Sequence, residues 1–338
     1  MLYQPLPRTL DAALRDVGDP KPLVRVSAVR DLVPHATGAR ARVIQALERA
    51  LGDANALVRA HAAEALGDLA AEDALAALLV AVEDEHQLVR QKAIAALGEI
   101  KDGRAQTRLE RALQDPRPEV RFQAVIAYPR VTGSRQDALR AVLAATRDED
   151  DSVAHIAFRM AEEVAGQAED EPADPALLAR ARECLKHASP RVRAVAAVVL
   201  GGAADASADD VLVALVSGDL KTPETEDVAA AIELVADRKL DAARPALKKR
   251  ATRGLFGVGK DELWWHARTA LARLGDTDAQ SAILSDLKAL SYERRTLAVS
   301  SVGRARLTEG RAVLEEMRGR PDRADPGAVD AALAAFEP

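Results

Sequence analysis

At 338 residues, 48% of them apolar and 30% charged, the chain has ample surface to bury and is expected to fold rather than stay disordered. It exceeds the usual size of one globular core, which leaves two domains or one elongated array. A net charge of −6 gives no general attraction to nucleic acid or anionic membrane, and the single cysteine, Cys184, rules out an intramolecular disulfide framework. No window approaches the roughly 18 apolar residues of a membrane span, and the start, "MLYQPLPRTLDAALRDV", lacks a basic stretch followed by an apolar core, so a cytoplasmic protein is expected.

Along the chain one unit recurs: "PLVRVSAVRDLV", "ALVRAHAAEALGDL", "QLVRQKAIAALGEI", "PEVRFQAVIAYPRV", a degenerate "SVAHIAFRMAEEV", then "PRVRAVAAVVLGG". The anchors Val24, Val58, Val89, Val120 and Val153 stand 34, 31, 31 and 33 residues apart, Val192 follows, and weaker copies lie at Val228, near His266 and near Arg294. Within a unit the spacing is helical, as in Val58, Ala62, Ala65, Leu66 and Leu69, and the preceding segment carries its own stripe, as in Leu75, Leu78, Leu79 and Val82. Each unit is therefore predicted to be a helical hairpin. Ser189 before Pro190 reads as an N-cap, and Gly67, Gly98 and Gly201 read as helix ends. The expected fold is all-α, a right-handed α-solenoid of about nine hairpins over residues 1–338, with a capping helix near 326–336.

The residues D-x5-R followed by A-x-x-A-L-G resemble the short HEAT-like repeats of the phycobilisome-lyase type. The resemblance covers nearly the whole chain and implies the solenoid fold. It also implies an alternative function, a bilin lyase or lyase subunit. Asp19 and Arg25, Asp53 and Arg59, Asp84 and Arg90, Asp115 and Arg121 share one spacing and are expected to interleave into a structural ladder between stacked units, ending at Ala154. Deoxyhypusine hydroxylase is similar in being built of HEAT-like units, and its iron-binding His-Glu pairs fall where this chain has Ala60-His61, Gln91-Lys92 and Ala194-Val195. No metal or other cofactor is therefore expected, and Cys184, three residues from His187, reads as core.

Charge is uneven. Residues 148–174 hold 10 acidic groups against 1 basic, and an acidic insertion is expected near 166–175. A basic and aromatic insertion is expected near 244–265, where Lys248, Lys249, Arg250 and Arg253 lead into Phe256 and Trp264. Its "GLFGVGK" nearly spells a phosphate loop. Asp261 follows the lysine, however, and the preceding "AARPALKKRATR" reads as a helix end rather than a strand, which excludes nucleotide. Aligning Gly275 with Gly67 puts Trp265 into the apolar stripe and leaves Trp264 off it. The six named residues then form a protein-binding patch for an acidic partner, beside which single-stranded nucleic acid is a further alternative. The leading expectation is a non-catalytic scaffold or adaptor.

Overall fold

The computed structural model describes residues 8–166, 173–252 and 261–337, and every regular element among them is helical. In chain order the helices pair as hairpins: α1 (Leu10–Asp16) with α2 (Pro22–Leu32), α3 (Ala36–Ala50) with α4 (Ala56–Asp68), α5 (Leu75–Ala81) with α6 (Gln87–Ile100), α7 (Gln106–Ala112) with α8 (Pro118–Val131), and α9 (Arg135–Ala145) with α10 (Asp151–Ala165). After them come α11 (Pro175–Cys184) and α12 (Pro190–Gly202), and then the pairs α13 (Asp209–Ser217) with α14 (Thr225–Asp237), α15 (Arg244–Ala251) with α16 (Trp264–Arg273), α17 (Thr277–Asp286) with α18 (Tyr292–Ala305), and α19 (Arg311–Met317) with α20 (Pro326–Ala334). This is the α-solenoid class. The chain groups into two compact units, Met1–Leu177 and Leu178–Pro338. No helix among the described residues is long and apolar enough to cross a membrane.

In each unit the second helices of consecutive hairpins stack directly: α2 on α4, α6, α8 and α10 in turn, and likewise α12, α14, α16, α18 and α20. Alanine and glycine make that approach possible. A Cβ on Gly67 would lie 2.8 Å from the Ala96 Cα, and one on Gly98 would lie 2.9 Å from the Ala127 Cβ. These glycines, with Gly201, thus sit in the last turn of their helices rather than beyond the end. They are kept small by the neighbouring helix and not by a turn.

The ends are made by other residues. Ala70, Lys101, Ala204, Lys239, Gly275 and Arg306 take left-handed backbone conformations, with φ from 42° to 86°. At five of them the next amide bonds back to the carbonyl of Leu66, Leu200, Val235, Leu271 or Val302, the 6→1 bond of a Schellman cap. This bond fixes the register of every hairpin it closes. Leu66, Leu97, Leu200, Val235, Leu271 and Val302 share one core position, and in α8 it is filled by Tyr128.

That register corrects two sequence alignments. In α14 it places Asp227, which is fully buried, where α4 has Val58, so the anchor is not Val228. In α16 it aligns Gly275 with Ala70 and not with Gly67, because Gly275 has φ 86° and ends its helix. Leu263 then takes the Val58 position of the apolar stripe, and Trp264 takes that of Arg59, where it is buried, at 5% exposure. Residues 244–251 are the regular helix α15 rather than an insertion. Arg253, Phe256, Gly259 and Lys260 lie outside the described residues, as does most of the acidic stretch expected at 166–175.

Candidate partner-binding surface

The turn joining the two helices of a hairpin is where the charged side chains gather. In the first unit Arg25 donates Nε and Nη2 to Asp53 at 2.7 Å each, Arg59 donates to Asp84 at 2.8 Å twice, Arg90 to Asp115 at 2.8 and 2.9 Å, and Arg121 to Asp148 at 2.7 Å twice. Each fork reaches forward to the next hairpin. The remaining Nη1 of each arginine bonds back to the carbonyl of its own hairpin's aspartate, Asp19, Asp53, Asp84 or Asp115, at 2.9 Å. Each forward aspartate also accepts an amide two residues on, as Asp53 does from Asn55 at 2.8 Å.

These side chains are only 10–14% exposed, so geometry matters more here than at an open surface. Burial pushes the Asp53 and Asp84 carboxyls up. The partner guanidinium and the backbone amide of Asn55 or His86 outweigh that and hold both below the ordinary carboxylate range. Asp148 completes the last rung, although its own hairpin has Ala154 in the arginine position. In the second unit the pattern is reworked. Arg193 still bonds back to the carbonyl of His187, whose Nδ1 takes the Ser189 amide at 3.1 Å in place of an aspartate. Trp264 occupies the arginine position in α16, and Arg268 stacks 4.6 Å above it while reaching Asp286 at 3.0 Å. Arg295 satisfies itself on the carbonyls of Ala289 and Arg323.

Two cations of the patch read from the sequence, and the nearby Arg238, are engaged in intramolecular contacts. Arg238 bonds to Asp209 at 2.7 Å, Lys248 pairs with Asp276 at 2.9 Å, and Arg250 pairs with Asp261 at 2.7 Å while donating Nε to the Val216 carbonyl. Lys249 is exposed. Trp264, read as an exposed anchor, is buried, because the cap at Gly275 sets a different register. Trp265 is the partly exposed member of the pair, its ring centroid 3.9 Å from that of His266 with the planes tilted by 37°, and Arg304 lies 5.7 Å above its ring. Sequence reasoning also missed the carboxylate beneath them. Glu233 accepts from His266 Nδ1 at 3.2 Å, Arg273 at 3.0 Å and Arg304 at 2.9 Å, tying α14, α16 and α18 together. Burial pushes it up, but these three partners hold it below its ordinary range.

The second helices of the first unit present a different surface. Leu23, Leu57 and Leu88 occupy the same place two residues before the ladder arginine; Leu23 is 76% and Leu57 44% exposed, and Leu88 is half-buried. One to two turns further along, Arg30 donates Nη2 to His61 Nε2 at 3.2 Å, His61 Nδ1 meets Glu64 at 2.9 Å, and Lys92 meets Glu64 at 2.5 Å. An apolar row thus runs beside a charge-neutralised one. The regular recurrence of "LVR" at 23–25, 57–59 and 88–90 is its signal in the sequence.

Stacked helical hairpins closed by Schellman caps and riveted by arginine–aspartate forks define an α-solenoid of short repeats. Residues 7–86 and 76–163, most of the first unit, match the family model of HEAT repeats. Among solved structures it is similar to YibA of E. coli, at 18% identity and a TM-score of 0.53 over 79% of this chain and 93% of that one, a likeness of fold. It is also similar to the complex of CpcE and CpcF of phycocyanin lyase from Nostoc sp. PCC7120, at 20% identity and a TM-score of 0.45 over 73% of this chain and 96% of that one. No curated protein matches the chain.

Proposed function

We propose that this chain is a non-catalytic scaffold or adaptor, working in the cytoplasm, that binds another protein through the second helices of its first unit. The observation that carries the reading is the row of Leu23, Leu57 and Leu88 at one repeat position. Core leucines such as Leu66 and Leu97 are fully buried, whereas Leu23 and Leu57 face solvent. Covering an exposed leucine contributes up to about 1.5–3 kcal/mol, so two or three in line supply a substantial part of a specific interface. The adjoining chain from Arg30 to Lys92 is already paired, and it suits the polar rim of such an interface. The partner is thus read as a protein with an apolar ridge. The cationic patch at Lys248, Lys249 and Arg250 does not support the reading, since Lys248 and Arg250 are engaged within the chain.

The test is affinity capture from the native cell with the wild type and with a Leu23→Glu/Leu57→Glu double variant, followed by mass spectrometry. A partner held by the wild type and lost by the variant at unchanged melting temperature is expected. An undiminished set of partners would overturn the proposal, and so would a variant that melts well below the wild type.

A further inference from the structure

Tyr128 stands in the core position that Leu66 and Leu97 fill in the two preceding second helices, and the motif there reads "AYPR" where they have "ALGD" and "ALGE". Its ring is packed as theirs are, with 2% of the residue exposed. A tyrosine is longer than a leucine and ends in a hydroxyl. No described residue hydrogen-bonds to that hydroxyl, yet it is not among the fully enclosed polar atoms left without a partner. The phenol lines a groove of about 860 Å³ between α7 and α9. A core leucine would serve packing as well, so the hydroxyl brings a polar atom to the groove that the fold itself does not use.

The walls of this groove have a definite character. Ala141 and Ala145 of α9 give it an apolar floor, and Gln114 an amide at one side. Of its arginines, Arg121 is held by Asp148, Arg140 pairs with Asp137 at 2.8 Å on its own helix while remaining 72% exposed, and Arg147 is engaged elsewhere. The carboxylates are less satisfied. Glu110 is exposed and has no ion pair or hydrogen bond with any described residue. Glu149 is 89% exposed, with only a 3.7 Å contact to an Arg121 whose Nε and Nη2 are already taken at 2.7 Å by Asp148. The preceding gap is closed differently, because Arg108 and Arg111 of α7 reach back to Glu83 beyond the end of α5. Among the described residues no ion pair joins α7 to α9.

We propose that the groove between α7 and α9 binds a basic peptide segment of a partner protein, with Tyr128 hydrogen-bonding its main chain and Glu110 and Glu149 receiving its lysine or arginine heads. This rests on the scaffold reading and adds a second contact with a stated chemistry. Methylene stems of lysine or arginine lie well on an alanine floor while their charged ends reach the rim. The volume is that of a site for a ligand of several residues' length. A phenolic hydroxyl both donates and accepts, which suits the carbonyl and amide of a peptide group, whereas a polyamine's ammonium can use only the accepting oxygen.

The experiment measures fluorescence anisotropy of a labelled Ala-Lys-Ala-Arg-Ala-Lys-Ala peptide on the full chain, with a glutamate-for-cation version as control and spermidine as competitor. Binding of the basic peptide and not of the acidic one is expected. Tyr128→Phe, which keeps the packed ring, should weaken it about 3- to 10-fold at unchanged melting temperature, as loss of one hydrogen bond does. Glu110→Gln/Glu149→Gln should weaken it about 10-fold and flatten its salt dependence. Equal binding of both peptides, no binding at millimolar concentration, indifference to Tyr128→Phe, or spermidine binding with the same sensitivity to that variant would each overturn the proposal. Failure here is separable from failure of the scaffold reading. A captured partner lost on changing Leu23 and Leu57 but untouched by Tyr128→Phe sinks the groove alone, and the reverse pattern sinks the leucine row alone.

Discussion

The guanidinium of Arg90 joins two hairpins, with Nε and Nη2 on the carboxylate of Asp115 at 2.8 and 2.9 Å and Nη1 on the carbonyl of Asp84 at 2.9 Å. With both side chains less than 15% exposed, removing the arginine leaves a carboxylate in a poorly solvated place. Arg90→Ala is expected to cost about 2–3 kcal/mol in urea unfolding. Arg90→Lys should cost nearly as much, because an ammonium cannot reproduce the fork. A midpoint for either variant equal to that of the wild type would show the rung to be inert.

How this rung is wired shows what the sequence discloses and what it conceals. The interval from Asp84 to Arg90 is plain in the sequence, and so is the stripe of Val58, Ala62, Ala65 and Leu66, because both repeat locally. The partner is not local: Arg90 bonds Asp115 of the next hairpin, 25 residues on, and Arg121 bonds Asp148, whose own hairpin has no ladder arginine. The same blindness produced the cationic patch. Lys248 looks unopposed in the sequence because Asp276 lies 28 residues away and meets it only when the hairpins stack. Tyr128 is visible as a departure from leucine, but the groove it lines exists only once α7 and α9 are in place. The misplacement of Trp264 came from a backbone angle, since a glycine inside a helix and one that ends it are the same letter.

The ladder makes stability depend on acid. Asp53 and Asp84 have folded-state values below those of the unfolded chain, so the stabilisation is complete above the unfolded value, near pH 4. It is lost as the pH falls through the lower folded values. Asp102 and Asp205, each lowered to about 2, act in the same direction at their turns. Melting temperature is therefore expected to be level from pH 7 to about 5 and to drop steeply below pH 4. Asp84→Asn should lower it at pH 7 and shrink the drop. An identical acid profile in the variant would remove Asp84 from the account.

Gly67→Ala tests the close stacking of α4 on α6. On propensity alone the change should help by about 1 kcal/mol. The new Cβ would meet the Ala96 Cα at 2.8 Å and its Cβ at 2.9 Å, and the first of these is backbone that cannot swing aside. Overpacking of this kind costs about 1–3 kcal/mol, so a net loss of stability is expected. Gly38→Ala, where no heavy atom comes within 4 Å of the added carbon, is the matched control and should be neutral or stabilising. Equal effects at the two positions would show that the helices part easily.

The two tryptophans separate the register set by Gly275 from the one the sequence suggests. With Trp264 buried at 5% exposure in the ladder-arginine position and Trp265 between His266 and Arg304 at the surface, Trp264→Ala should cost about 3–5 kcal/mol. Trp265→Ala removes a cation–π contact and partial cover, and about 1 kcal/mol is expected. Because these are the only tryptophans in the chain, each single replacement leaves the other as the sole indole reporter. Trp264→Phe should leave emission from a partly solvated indole that iodide quenches, whereas Trp265→Phe should leave blue-shifted emission that iodide scarcely touches. The reverse quenching pattern would put Trp265 in the core and return Trp264 to the surface as a possible anchor for a partner.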